Sequence, residues 1–488
     1  MKDPDIILYL YPNDGPGREA AEDAIAMPQN SSKYMPPRQP NAASRSYRES
    51  TEPPEEYRSL ERSPCLVLRF SDGAKTGHGI MAGWGDNVDV SLPKRRGISR
   101  CHFAFTFDDK NRLIARDLGS KHGIRVVYDE EKGDFQSKID YLLQAPSILR
   151  TEHLVLYVGP GFQIKVVVPS HDVTSQDYFD RVTKFRQGWA HPEDLLDGLA
   201  LLSAPRTQAP TGAQTPTDVS VPVLYRKELG QGSFGVVSYV WNATTGEEYA
   251  LKEPHKNNTE NNNFDMEAWK KEAKMMGRIS HRHIVAFRDA KFDPYPQLTF
   301  EFVPGGSLDA YRDFSTFENT QVLCQLLSAL RYLHERTPPI AHRDIKPENI
   351  LVAFRRSGSI HVKFGDFGLA TAADRLATIC GTWVWAAPEI YQKQFGRIDR
   401  EDQYTVAVDI WSLGLVIASQ EYGLPQRVTS HEHSAVAWIQ DALWHFKSFF
   451  RKERNELLRF VLDSMLIENP RKRKSASQCM EEAMQLPN

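Results

Sequence analysis

Residues 342–349 read His-Arg-Asp-Ile-Lys-Pro-Glu-Asn, and Asp366-Phe367-Gly368 follows seventeen residues after Asn349. Upstream lie Gly230-Gln231-Gly232-Ser233-Phe234-Gly235 and Ala250-Leu251-Lys252; downstream lies Ala387-Pro388-Glu389. Each piece alone has a bland reading. A glycine loop is a hairpin, a lone Asp a turn or cap, a lone Lys a solvated charge. Five such elements in one order and register leave little room for chance, and they restrict the chain to folds that gather all five at one site.

This set resembles the catalytic domain of the protein kinases. The resemblance implies an α+β two-lobed domain over residues 221–488 that uses ATP and Mg²⁺. Phosphoryl transfer needs the triphosphate clamped, its charge neutralised and a hydroxyl aimed in line. Gly230, Gly232 and Gly235, with Ser233 and Phe234 between them, are expected to let backbone N–H groups close over the phosphates. By the same resemblance Val237 and Ala250 line the adenine pocket, and Glu301 and Val303 lie in the hinge after Phe300. Lys252 would hold the α- and β-phosphates and needs a carboxylate to position it. Glu267 and Glu272 both follow on the next helix, and the family's spacing, counted back from His281, selects Glu272. Asp344 would orient the substrate hydroxyl or take its proton. Asn349 and Asp366 would ligate Mg²⁺ through oxygen. Lys346 and Thr382 place the chain with the Ser/Thr group. Arg343 is expected to pair with an activation-loop phosphate on Thr378. Glu389 is expected to pair with Arg473, and Asp409 to support the catalytic-loop backbone.

Before this region the texture differs. Short alternating apolar runs at Cys65–Phe70, Val88–Leu92, Cys101–Phe107, Leu113–Asp117, Ile124–Tyr128, Leu154–Val158 and Ile164–Val168 predict an all-β sandwich over residues 62–170. Within it, Gly97-Ile98-Ser99-Arg100-Cys101-His102 and Asp117-Leu118-Gly119-Ser120-Lys121-His122-Gly123-Ile124 resemble the forkhead-associated (FHA) domain, a phosphothreonine-binding sandwich. The resemblance assigns Ser99 and Arg100 to the phosphate, with Lys121 and His122 on the neighbouring loop, and makes His102 an internal brace. Trp84, His122 and Ile124 stand where the family has Arg, Asn and Thr, and Lys121 or the run Lys94-Arg95-Arg96 can replace the lost charge.

Residues 1–61, rich in Pro, Ser, Asn, Glu and Arg, are expected to be mostly disordered. Residues 171–220 read as two amphipathic helices, around Tyr178–Phe185 and after Pro192, then a Pro/Thr-rich linker from 204. A sandwich, a linker and a kinase in this order resemble the checkpoint effector kinases of fungi and animals, a fungal one in particular. Phosphothreonine proteins and Ser/Thr-containing substrates are the expected partners. A phosphorylation-dependent homodimer is a further expectation, since Asp177 and Asp218 follow Thr174 and Thr215 by three places. The formal charge of −3 gives no bulk attraction to nucleic acid or membrane. Five scattered cysteines without a CxxC pair, no long apolar stretch and an acidic start suggest an intracellular protein of nucleus or cytoplasm. Two alternatives stay open: a constitutive kinase with a purely structural sandwich, and a phosphopeptide-binding scaffold with a vestigial kinase.

Overall fold

A computed structural model of the chain describes residues 3–37, 62–128, 135–146, 154–159, 161–187, 223–232, 235–260, 264–372, 383–394, 405–425 and 434–486. The chain divides into two compact units. One is Met1–Lys227 with Trp241–Glu247; the other is Glu228–Val240 with Glu248–Asn488.

The first unit is built on two sheets. Its strands are β1 (Ile6–Pro12), β2 (Tyr34–Met35), β3 (Cys65–Arg69), β4 (Ile80–Gly83), β5 (Val90–Ser91), β6 (Phe103–Phe107), β7 (Leu113–Asp117), β8 (Ile124–Val127), β9 (Asp140–Leu142), β10 (Val155–Val158) and β11 (Gln163–Val167). One sheet runs β2-β3-β1-β11-β10-β8 and the other β5-β4-β6-β7-β9. Ile124, Val126, Ile164 and Val166 alternate with the half-buried Arg125 and Lys165, the period-two pattern of a strand with one face inward.

The start of the chain corrects an expectation. Residues 3–37 are not disordered: β1 lies between β3 and β11, with Tyr9 opposite Val67 on one side and Val167 on the other. Ile6, Ile7, Leu8 and Leu10 are all buried, which marks a central core strand. The acids before it are tied down as well. Arg69 donates to Asp3 (2.7 Å), and the Ser71 hydroxyl and N–H donate to Asp5. Helix α1 (Arg18–Ile25) buries Ala20, Ala21, Ala24 and Ile25. Helix α2 (Gln176–Gln187) covers the first of the two expected helices and buries Tyr178, Val182 and Phe185, with Phe70 and Phe107 edge-on to the Tyr178 and Phe185 rings. The second expected helix and the linker lie outside the described residues.

Two segments expected in the kinase region also fold within the first unit. The Tyr225 and Trp241 rings stand 4.7 and 5.1 Å from Tyr128. The Tyr225 hydroxyl donates to the Val126 carbonyl (2.6 Å), and the Leu142 N–H to the Ala243 carbonyl (2.9 Å).

The second unit has the two parts that the resemblance to a kinase implies. A sheet ordered β12-β13-β14-β16-β15 combines β12 (Leu224–Gly232), β13 (Gly235–Asn242), β14 (Glu248–Glu253), β15 (Phe287–Lys291) and β16 (Gln297–Phe300) with helix α3 (Met266–Met276). The rest centres on helices α4 (Thr316–His334) and α5 (Ala407–Tyr422), which are lined by fully buried Leu, Val and Ile. Between them run the hairpin β18 (Ile350–Arg356) and β19 (Ser359–Phe364) and the small pair of β17 (Ile340–Ala341) with β20 (Thr371–Ala372). Ser315 and Glu318 form a capping box at the start of α4. Arg355 of β18 grips Glu318 through both oxygens and, with Ser315, holds its carboxyl down to about 2.

Two outcomes follow. Leu8→Ala in β1 is expected to destabilise the first unit by about 2–5 kcal/mol, read by thermal or denaturant unfolding. The Glu318 carboxylate contributes stability above its unfolded pKa of about 4.3 and loses it as pH falls toward 2. Glu318→Gln should therefore shrink the stability difference between about pH 6 and about pH 3. An unchanged acid limb would refute that role.

Candidate active site

Lys252, near the end of β14, has a side chain only 7% exposed. Its ammonium reaches Glu272 of α3 at 2.8 Å and Asp366, just after β19, at 2.9 Å. Burial opposes the charge on Lys252, but the two carboxylates outweigh it and raise the pKa. Burial would likewise raise Asp366, yet Lys252 keeps it lowered. Glu272 is the more deeply buried carboxyl, and desolvation, helped by Asp366, pushes it up against the pull of Lys252. Glu267 plays no part: it is 82% exposed and pairs with Lys270 on the next turn.

The catalytic-loop cluster is as tight. Asp344 is buried, and its Oδ2 takes the Lys346 ammonium (3.0 Å) and an Asn349 amide N–H (2.8 Å). Asn349 also donates to the Asp344 carbonyl, so the atom it can offer a cation is Oδ1. With the Asp366 carboxylate this gives an all-oxygen donor set, which suits Mg²⁺. Both Arg343 (φ 72°) and Asp366 (φ 49°) sit in the left-handed region that non-glycine residues avoid.

Asp409, near the start of α5 and 1% exposed, holds that loop. Its two oxygens accept the His342 and Arg343 backbone N–H groups, each at 2.9 Å, and His334 bonds Oδ2 at 2.9 Å. Burial works against the carboxylate, but the His334 bond and the neighbouring donors keep its pKa lowered. His334, at the end of α4, escaped the sequence reading; a His closing a long apolar helix carries no motif of its own. His342 bonds the Gly365 carbonyl (3.0 Å) and packs on Phe367, which is buried. Glu389 and Arg473 form a buried bidentate pair (2.7 and 3.1 Å).

Gly235 opens β13 where a Cβ would stand 2.1 Å from the Glu253 carbonyl oxygen, so only glycine fits. Gly230 and Gly232 end β12; Val237 and Ala250 are half-buried on β13 and β14. Glu301 donates its backbone N–H to Ala286, and its carboxylate pairs with Lys363 (2.5 Å), while Val303 is buried. Ser233, Phe234, Thr378 and Thr382 lie outside the described residues.

In the first unit, Ser99 and Lys121 meet: the Lys121 N–H donates to the Ser99 hydroxyl (3.4 Å). Arg100, Lys121 and His122 are exposed. His102 is fully buried, takes the Ser99 N–H on Nδ1 (3.0 Å) and contacts the Gly123 carbonyl through Nε2 (3.2 Å). Burial lowers its pKa, which fits a neutral internal brace.

Residues 224–484 match the protein kinase domain model. The chain belongs to the protein kinase family. Residues 80–137 match the FHA domain model, so both domains are present. The chain is 32% identical over 284 residues to serine/threonine-protein kinase DCLK1 of Mus musculus, covering 57% of this chain and 36% of that protein. It is 32% identical over 278 residues to the Rattus norvegicus DCLK1 protein (55% and 61%). It is 30% identical over 264 residues to calcium/calmodulin-dependent protein kinase type II of Caenorhabditis elegans (52% and 35%). The chain thus spans between about a third and three fifths of the length of these relatives. No helix among the described residues is long and apolar enough to cross a membrane.

Removing the Asp409 carboxylate leaves two buried backbone donors and His334 unsatisfied. Asp409→Ala is expected to cost about 3 kcal/mol or more, seen as a lowered unfolding midpoint. A variant as stable as the parent would show that this carboxylate does not hold the loop.

Proposed function

We propose that the chain is a Ser/Thr protein kinase that transfers the γ-phosphoryl of Mg-ATP to protein substrates. The observation that carries this reading is the Lys252 ammonium held at once by Glu272 and Asp366. Lys252 so fixed can orient the α- and β-phosphates. Asp344 orients the substrate hydroxyl and accepts its proton, with Lys346 balancing charge at the same oxygen. Bound Mg²⁺, held through Asp366 and Asn349, would neutralise charge on the phosphates. Lys346 supports Ser/Thr over Tyr, as does the likeness to serine/threonine-protein kinases. Glu348, exposed beside the catalytic loop, favours substrates with a basic residue two or three places before the acceptor.

In this reading the FHA domain binds phosphothreonine proteins through Ser99, Arg100, Lys121 and His122. Phosphorylation of Thr378 pairs with Arg343 and raises activity. A phosphate on Thr174 or Thr215 recruits the FHA domain of a second chain and raises the local concentration of kinase domains. Thr174 is exposed just before α2, and Asp177 pairs with Arg181 there. The arrangement of domains supports a place in checkpoint or stress signalling inside the cell, in nucleus or cytoplasm.

The test is radiolabel transfer from ATP to a protein mixture with phosphoamino-acid analysis. Label should appear on Ser and Thr, and Asp366→Ala or Lys252→Met should abolish it. Label confined to Tyr, or full activity in Asp366→Ala, would overturn the assignment. Thr378→Ala should lower activity with an unchanged unfolding profile, and equal activity of Thr378-phosphorylated and dephosphorylated enzyme would remove the switch.

A further inference from the structure

We infer that Trp84 is a positioning residue that holds Lys94 and Arg100 together beside Ser99, and that Lys94 is thereby a direct donor to the phosphate of a phosphothreonine peptide. The inference rests on the phosphothreonine-binding reading above. It gives Trp84 a part that the sequence patterns and family matches do not assign, and singles out Lys94 from the run Lys94-Arg95-Arg96 as the phosphate donor.

Trp84 follows β4 and is half-buried. Its indole N–H donates to the Ile98 carbonyl (2.9 Å) and its backbone N–H to the Ser99 carbonyl (3.4 Å). The next N–H, of Gly85, donates to the Arg100 carbonyl (3.0 Å). Gly83 lies so close that a Cβ would stand 2.0 Å from the Arg100 carbonyl oxygen. The indole is therefore locked against the segment that carries Ser99 and Arg100.

Two cations lie over that locked ring. The Lys94 ammonium is 4.6 Å from its centroid and the Arg100 guanidinium carbon 5.5 Å. The negative π-face attracts each cation, while the two repel one another. The ring is neutral and cannot cancel their charge. Asp86 is the carboxylate near Arg100, but it is 3.9 Å away and fully exposed, a geometry that yields little net attraction. The Ser99 hydroxyl, which accepts the Lys121 backbone N–H, belongs to the residue whose carbonyl Trp84 bonds. Two cations held against one ring, whose neighbouring segment carries a hydroxyl and the Lys121 backbone N–H, form a receptor for a compact dianion. A phosphate ester accepts several charge-assisted hydrogen bonds at once and relieves the repulsion. Trp84 thus replaces a third positive side chain with a platform that adds no repulsion and orders the other two.

The experiment uses the full chain and a fluorescent library of peptides with one fixed phosphothreonine between degenerate positions. The parent should bind it and ignore the unphosphorylated library. Lys94→Met and Trp84→Leu should each weaken binding by roughly tenfold, the loss of one charge-assisted contact. Lys94→Arg and Trp84→Phe should stay within about twofold, since charge and ring face are kept. The double variant Trp84→Leu with Lys94→Met should be no weaker than Trp84→Leu alone, because both remove the same contact. Lys110→Met, an exposed lysine on another turn, should bind like the parent. Lys94 is exposed, so its substitution tests the idea even if Trp84→Leu fails to fold. Phosphopeptide binding unchanged by Lys94→Met would overturn this inference and leave the FHA reading standing. A parent that does not distinguish phosphorylated from unphosphorylated peptides would overturn both.

Discussion

One ammonium shared by two carboxylates organises the kinase domain. Lys252 belongs to the sheet, Glu272 to helix α3 and Asp366 to the segment after the β18–β19 hairpin. A buried lysine is costly unless paired, and here the pairing recruits three separate elements. Removing any partner leaves a desolvated charge behind, so strand, helix and hairpin end are held in register by one group. The catalytic loop depends on a second anchor, the Asp409 carboxylate, which holds two of its backbone N–H groups and the His334 ring.

The kinase site was largely legible in the sequence because its chemistry demands particular side chains at fixed spacings. The choice of Glu272 over Glu267 came from the spacing of the family that the motifs resemble, and the structure places the first against Lys252 and leaves the second in solvent. His334 was not legible, because its role exists only once α4 ends beside α5. The β-rich character of residues 62–170 was also readable from alternation. The strand at Ile6–Pro12 was not, since it is one short apolar run in polar surroundings. Its partners lie far along the chain, and nothing local marks a strand whose pairing is entirely long-range.

Boundaries suffered for a related reason. The kinase match begins at residue 224, yet Tyr225 and residues 241–247 pack with the first unit. Composition places the division at the Pro/Thr-rich segment, where the chain is least apolar. The aromatic packing of Tyr225 and Trp241 on Tyr128 places it inside strands β12 and β13 instead. Each of these strands starts or ends in one unit and runs into the other, so a cut at the linker would strip two large aromatic residues of their neighbours.

The position of β1 also bears on how the protein is made. Tyr9 is synthesised well before Val167, the residue it faces, and at ribosomal speeds of about 5–20 residues per second the interval is roughly ten to thirty seconds. Throughout that time Ile6, Ile7, Leu8 and Leu10 have no sheet to join on the β11 side, although β3 arrives earlier. The sheet cannot close from its first strand outward. It must be completed backward, with the last strand captured against the first, and the apolar segment keeps one edge unpaired until then.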